Sequence, residues 1–255
     1  VLPDGTKVML EREMNRALEE GVRNSGDTLN YTEVVSGGLQ DSCEIYHTLR
    51  VPRGGEYTLV LADGTTVYLN AESELRFPKQ FRGKKRKVYL TGEGYFDVQR
   101  NEKQPFIVEA QQVAIRVLGT SFGVRAYTRE VNVLTTLVQG RVNVEADGQQ
   151  VELNPGQQAD FNRENDRLTV AEVDVEQYVG WKDGRLVFDN KPLEFILEEL
   201  GRWYSFDVFY TNKELKEIPY SLNIKKHEDI AHVLKFIERT GKVKFEVNKN
   251  MIIVK

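Results

Sequence analysis

Leu2-Pro-Asp-Gly-Thr-Lys-Val-Met-Leu10 recurs as Leu61-Ala-Asp-Gly-Thr-Thr-Val-Tyr-Leu69, with Leu, Asp, Gly, Thr, Val and Leu in the same places. Asp-Gly supplies a tight turn, because glycine accepts positive φ and aspartate caps its own backbone. The Thr-x-Val-x-Leu that follows puts alternate side chains on one face, as a half-buried strand requires. Repetition of a turn–strand unit points to sheet built on sheet, with both copies in one continuous β scaffold. No nucleophile, base or metal ligand belongs to the unit, so it describes framework before it describes chemistry.

Many further runs obey the same alternation. Tyr57–Leu61, Lys87–Leu90, Tyr95–Val98, Pro105–Val108, Val113–Leu118 and Phe122–Tyr127 all read as strands. Arg141–Ala146 and Gln149–Asn154 flank Asp147-Gly148, a two-residue hairpin turn. Turns every eight to twelve residues indicate a β-sandwich or jelly-roll-like architecture. Glu11–Glu20 is the exception: good helix formers, with Met14, Ala17 and Leu18 on one side, place a short helix before Gly21.

The pattern changes between Val173 and Trp181. Leu193, Ile196, Leu197, Leu200, Trp203 and Tyr204 follow helical spacing after Pro192, and Phe206–Tyr210 returns as strand. A second cycle runs through Tyr220–Ile224, then a helix carrying Ile230, Val233, Leu234 and Ile237, with Glu228 and Asp229 at its positive end. Gly241 stops that helix, and Val243–Val247 and Met251–Val254 finish the chain. The expected organisation is a β domain over residues 1–175 and an α+β domain over 181–255, the latter a βαβ-βαββ arrangement with two helices on one small sheet.

Composition excludes several functions. Apolar residues make up 40% and charged ones 29%, and the net charge of −4 gives no general reason to expect nucleic-acid binding. No stretch reaches the roughly 18 to 20 apolar residues of a membrane span, and no basic-then-apolar signal opens the chain. The abrupt start at Val1 reads as a portion of something longer or as a processed terminus.

Candidate chemistry is sparse. His47 stands alone in an expected loop, His227 lies at a helix edge, and His232 should face water; no HExxH, CxxC or Cys/His cluster suggests a metal, and no cofactor is expected. Cys43 has no second cysteine to pair with and no surrounding motif, which favours a structural thiol over a nucleophile. The Asp-Gly pairs lack the ligand run of a calcium loop. Glu93 and Asp97 raise a paired-carboxylate reading for glycoside hydrolysis, and exposed Tyr or Trp on a sandwich would suit sugar binding. The basic run Arg82-Gly-Lys-Lys-Arg-Lys87 reads as a solvated hairpin tip, with anionic lipid or nucleic acid as the sharper alternative.

Several stretches together resemble the FecR family of transmembrane anti-sigma factors. They are Leu61–Ala71 with Ser73, Gly92-Glu-Gly-Tyr-Phe-Asp-Val98, Pro105–Val108, Leu118-Gly-Thr-Ser-Phe-Gly-Val124, Leu137-Val-Gln-Gly-Arg-Val142 and Leu153-Asn-Pro-Gly-Gln157. Trp181-Lys-Asp-Gly-Arg-Leu-Val-Phe188, Pro192-Leu193 and Arg202-Trp-Tyr204 are similar to the C-terminal domain of that family's TonB-linked members. The resemblance implies a non-enzymatic periplasmic sensor portion of a single-pass inner-membrane protein. It also implies two partners: the N-terminal signalling domain of a TonB-dependent outer-membrane receptor, and an ECF sigma factor bound by a cytoplasmic segment absent from this chain, as is the membrane span. The tail is itself similar to the short N-terminal domains of secretins and TonB-dependent transducers (STN-like). Such domains expose sheet edges that pair with another chain. The candidate partner-binding residues are therefore Phe206, Val208 and Tyr210, or Met251 and Ile253; if those strands are interior, the helices make the contact.

Overall fold

Short runs with every second side chain apolar dictate a sheet, and the chain up to Val175 is built of them. The computed structural model describes residues 1–2, 5–10, 15–19, 21–32, 44–226 and 228–255. It divides into two units, Val1–Pro52 with Glu56–Val175, and Arg53–Gly55 with Glu176–Lys255.

The strands of the first unit are β1 (Asn15–Glu19), β2 (Val22–Ser25), β3 (Thr28–Asn30), β4 (Tyr46–Val51), β5 (Tyr57–Val60), β6 (Thr66–Leu69), β7 (Ser73–Pro78) and β8 (Arg86–Asp97). They continue with β9 (Phe106–Ala110), β10 (Val113–Val117), β11 (Ser121–Ala126), β12 (Asn132–Gln139), β13 (Val142–Ala146), β14 (Gln149–Leu153), β15 (Gln157–Asn162) and β16 (Arg167–Glu172). One layer runs β1-β2-β3-β5-β6-β8-β11-β12-β15-β16, the other β4-β7-β8-β9-β10-β13-β14. Strand β8 belongs to both. Its first half pairs with β7 and β9, and its second half with β6 and β11.

Gly92 is the corner where β8 passes from one layer to the other. It sits at φ +95°, and a Cβ there would stand 2.5 Å from Ser73 Oγ and 2.7 Å from Ser73 Cα. Only glycine tolerates both the backbone angle and the close approach. Side chains from the two layers meet in one core. Phe96 stacks on Phe122 at 5.3 Å between centroids and lies 6.3 Å from Phe106. Leu59, Leu61, Leu69, Leu75, Ile115 and Leu137 are fully buried around them, each side chain worth about 1.5–3 kcal/mol of transfer free energy.

Both copies of the nonapeptide make the same pair of backbone hydrogen bonds. Leu61 N–H bonds Thr65 O at 2.9 Å and Gly64 N–H bonds Leu61 O at 2.9 Å. Leu2 N–H bonds Thr6 O at 2.9 Å and Gly5 N–H bonds Leu2 O at 3.0 Å, with Gly64 and Gly5 at φ +85° and +86°. The strand follows only the second turn, as β6; Lys7–Leu10 pairs with no strand among the described residues. The Asp147-Gly148 hairpin forms as expected, with both residues at positive φ between β13 and β14.

The helix expected over Glu11–Glu20 is corrected. Its described part, Asn15–Glu19, is β1, paired antiparallel with β2 across Gly21 at φ +77°. Helix propensity is a weak prior that a waiting sheet edge overrides, and Leu18 packs against the core from that edge.

The second unit contains α1 (Glu176–Val179), β17 (Arg185–Pro192), α2 (Leu193–Tyr204), β18 (Asp207–Tyr210), β19 (Pro219–Lys225), α3 (Ile230–Glu238), β20 (Phe245–Asn248) and β21 (Met251–Val254). From β17 onward the order is the βαβ-βαββ expected. In place of one small sheet there are two, β17-β19 and β18-β21-β20. The buried faces of the helices are the predicted stripes: Leu193, Ile196, Leu197, Leu200 and Trp203 on α2, Val233, Leu234 and Ile237 on α3. Asp229 caps α3 by accepting from Ala231 N–H at 2.9 Å.

Candidate functional site

The three-stranded sheet of the second unit carries the predicted contact residues, and its topology sorts them. β21 is the middle strand, parallel to β18 and antiparallel to β20. Met251–Val254 is therefore not an edge strand, which corrects that candidate: both of its sides are already hydrogen-bonded. A parallel neighbour distant in sequence put it there, which local pattern cannot foresee. β18 does lie at the edge.

The turn from α2 into β18 is tightly specified. Ser205 adopts the left-handed conformation at φ +58°, and its N–H returns to Gly201 O. A Cβ on Gly201 would stand 2.8 Å from Phe206 O. Arg53, counted with this unit, donates to Phe206 O at 2.8 Å and pairs with Asp207 Oδ1 at 2.7 Å. Phe206 is buried, at 6% exposure, so it belongs to the core and not to a contact surface.

Parity along β18 also differs from expectation. Val208 and Tyr210 are half-buried, while Phe209 is 57% exposed. Burial beside Glu194 and Glu198 pushes the Tyr210 hydroxyl well above the ordinary tyrosine range. Phe209 pairs with Ile253 and Asp207 with Met251, so Phe209, Ile253 and Met251 share the outer face. Met251 is 40% exposed there, and Ile253 half-buried. Phe209 was missed because both parities of Phe206–Tyr210 hold apolar residues, and alternation alone cannot say which faces in.

In the first unit the recurring motifs converge on a buried polar cluster. Asn70 Nδ2 donates to Glu93 Oε2 at 2.7 Å, and Glu93 N–H bonds Ser73 Oγ at 2.8 Å. Arg125 lies 3.5 Å from Glu93 Oε2 and holds Glu130 with two bonds, at 2.8 and 2.6 Å. Tyr127 OH reaches Ala71 O at 2.9 Å. Asn70, Ser73 and Glu93 come from family-like motifs; Arg125 and Tyr127 had no sequence signal, since Glu93 and Ala71 are remote from them in the chain, and Glu130 joins through Arg125, five residues away. Paired in this way, Glu93 serves the fold.

Asp97 is exposed and accepts from Ser121 Oγ at 2.8 Å. Four residues along one strand set it roughly 13 Å from Glu93, beyond either glycosidase spacing. The aromatic surface for sugars is reduced as well: Trp181 and Trp203 are buried, and the Arg76 guanidinium lies over Tyr46 at 4.0 Å and Tyr89 at 5.2 Å.

His47 is corrected from loop to strand. It lies buried in β4, its Nδ1 2.7 Å from the Tyr31 hydroxyl. His232 is exposed, as its helical position requires; Cys43 and His227 lie outside the described residues. The basic run divides: Arg82, Lys84 and Lys85 are exposed, but Arg86 is buried at 1% exposure. Its guanidinium donates to Asp63 Oδ2 at 2.6 Å, Gln99 O at 2.8 Å and Gln104 O at 2.8 Å. Asp63 also accepts from Thr65 N–H and Oγ, so the second Asp-Gly turn is locked by a charge 23 residues away. Among the described residues no group of three His, Cys, Asp or Glu is placed to hold a metal ion.

Residues 47–143 match the family model described as FecR protein, and residues 185–254 match FecR, C-terminal. Two crystal structures titled as a "putative anti-sigma factor" from Parabacteroides distasonis, at 1.65 and 2.50 Å resolution, superpose with TM-scores of 0.76. Each is 26% identical to this chain, over 82% of this chain and 98% of its own length. No curated protein sequence matches the chain. With the two models matched in order over most of its length, and a like-folded anti-sigma factor beside them, this chain belongs to the FecR family.

Proposed function

We propose that this chain is the periplasmic sensor portion of a FecR-like anti-sigma factor, with the β unit as framework and the STN-like tail as receiving module. It takes a signal by protein contact from an outer-membrane TonB-dependent transducer and relays it to a cytoplasmic ECF sigma factor. Family membership supports the anti-sigma role. The observation that carries the contact reading is the edge sheet of the second unit, with Phe209 and Met251 in water on one face. Exposed apolar groups grouped in this way mark a binding surface more often than a catalytic one. No helix among the described residues is long and apolar enough to cross a membrane.

The test is a calorimetric titration of the chain with the purified N-terminal signalling domain of a TonB-dependent transducer from the same organism. Saturable one-to-one binding is expected. Absence of binding, or saturation by a glycan panel instead, removes the proposal.

A further inference from the structure

Asp207 N–H bonds Asn250 O at 2.7 Å and Thr211 N–H bonds Val254 O at 3.0 Å, so the odd-numbered residues of β18 turn their main-chain groups toward β21. Alternation along a strand turns those of Val208 and Tyr210 the other way, out of the sheet edge. Among the described residues no partner meets them there. A sheet edge of this kind is a template for another strand unless the protein blunts it.

The other edges of the second unit are blunted. β17 and β19 carry Pro192 and Pro219, with a register shift between Phe188 and Lys191. β20 presents Glu246, which holds Lys255 at 2.5 Å and Asn248 at 3.1 Å. β18 reads Asp-Val-Phe-Tyr, pairs with β21 in unbroken register, and has neither proline nor lysine.

We propose that β18 takes its partner as an added β-strand: an extended segment with apolar side chains at alternate positions, bonded to the main chain of Val208 and Tyr210. The apolar side chains of that segment lie beside Phe209, which continues across the outer face into Ile253. Main-chain pairing supplies affinity and the flanking apolar face supplies choice of partner. The proposal rests on the reading of the tail as the receiving module.

Val208→Pro tests it on the full chain. The lost N–H points away from β21, so proline removes no intrachain bond and is tolerated at an edge, but its ring blocks an incoming strand. Binding of the transducer's signalling domain should weaken at least about tenfold, with the tryptophan-monitored unfolding midpoint retained. Phe209→Asp, at an exposed site, should also weaken binding, and should Val208→Pro fail to fold, unchanged binding by Phe209→Asp overturns the proposal. Unchanged binding by Val208→Pro overturns strand addition, even where Phe209→Asp binds weakly, because the contact is then to the face and not to the edge. A partner-free dimer of the unaltered chain that Val208→Pro dissociates in sedimentation also overturns it, assigning the edge to a second copy. If the unaltered chain shows no binding, the underlying reading falls and takes the proposal with it.

Discussion

In the first unit charge is turned inward: Arg86, Glu93 and Arg125 are all at most 9% exposed, and each meets a partner more than twenty residues away, Arg86 with Asp63, Glu93 with Asn70 and Arg125 with Glu93. In the second unit apolar surface is turned outward, with Phe209, Phe236, Val247 and Met251 between 40% and 60% exposed. A buried ion pair adds little net stability but makes its own geometry costly to leave, which suits a framework. Exposed apolar groups beside an open edge cost solubility unless something covers them, which suits a module that meets a partner. The contrast is one of proportion: the second unit also buries the Glu199–Arg202 pair, and the larger first unit also exposes Met9, Ile45, Leu118, Val131 and Val170. Trp181 and Trp203 are the chain's two tryptophans and both lie in the second unit, so their fluorescence follows that unit while far-ultraviolet circular dichroism is weighted toward the larger β unit.

The largest effect should come from Arg86→Ala. It strips Asp63 of its counter-charge, leaving only the Thr65 donors, and takes the guanidinium donor from the Gln99 and Gln104 carbonyls, a loss of about 3–5 kcal/mol. The dichroism-monitored urea midpoint should fall accordingly; a fall under about 1 kcal/mol would show that the inward charge is incidental to the framework. Gly92→Ala follows at about 3 kcal/mol, from a strained positive φ and a Cβ driven into Ser73. Ser73→Gly should not rescue it, because the Ser73 backbone is itself 2.7 Å away.

Gly201→Ala carries the comparison into the second unit. Its methyl would press on Phe206 O at 2.8 Å, offset in part by alanine's better helix propensity, for a net loss of about 1–2 kcal/mol. The tryptophan-monitored midpoint should report it, and an unchanged midpoint would mean that the α2–β18 turn is looser than its geometry indicates.

Legibility followed the range of the determining interaction. The Asp147-Gly148 hairpin and the stripes of α2 and α3 were readable because turn chemistry and helical period are local. The burial of His47 against Tyr31 and of Arg86 against Asp63 was not, because each depends on a partner the fold brings from elsewhere. The same holds for β1, where a sheet edge outweighed helix formers, and for β21, placed in the middle by a parallel neighbour. Within the candidate site, the segment Phe206–Tyr210 could be named from sequence, but Phe209 could not, since its parity is set by how β18 packs.

Asp160, like Arg86 with its buried Nη2, is a place where the first unit's inward charge is incompletely paired. Asn132 Nδ2 bonds its Oδ2 at 2.9 Å, whereas Oδ1 is buried without a partner. Burial raises its pKa above the ordinary 3.8, with the Asn132 bond opposing. A carboxyl raised in the folded state contributes stability below its unfolded pKa and loses it as pH rises through the folded value. Asp160→Asn should therefore be more stable than the unaltered chain at about pH 7 and lose that advantage near pH 4, by less than about 1 kcal/mol given partial solvent access. An advantage that grows on acidification would reverse the sign and remove the argument.

The smallest stability effect should be that of Phe209→Ser. With 57% of Phe209 in water and its main chain held by β21 whatever the side chain, the tryptophan-monitored midpoint should stay within about 0.5 kcal/mol of the unaltered chain. That near-silence is what separates a surface kept for a partner from one kept for the fold. A loss of 2 kcal/mol, on the order of a core truncation, would place Phe209 in the packing of its own unit and dissolve the contrast with Arg86. Unaltered stability together with improved solubility would instead sharpen it, since the residue would then burden the free chain and have its use only in a complex.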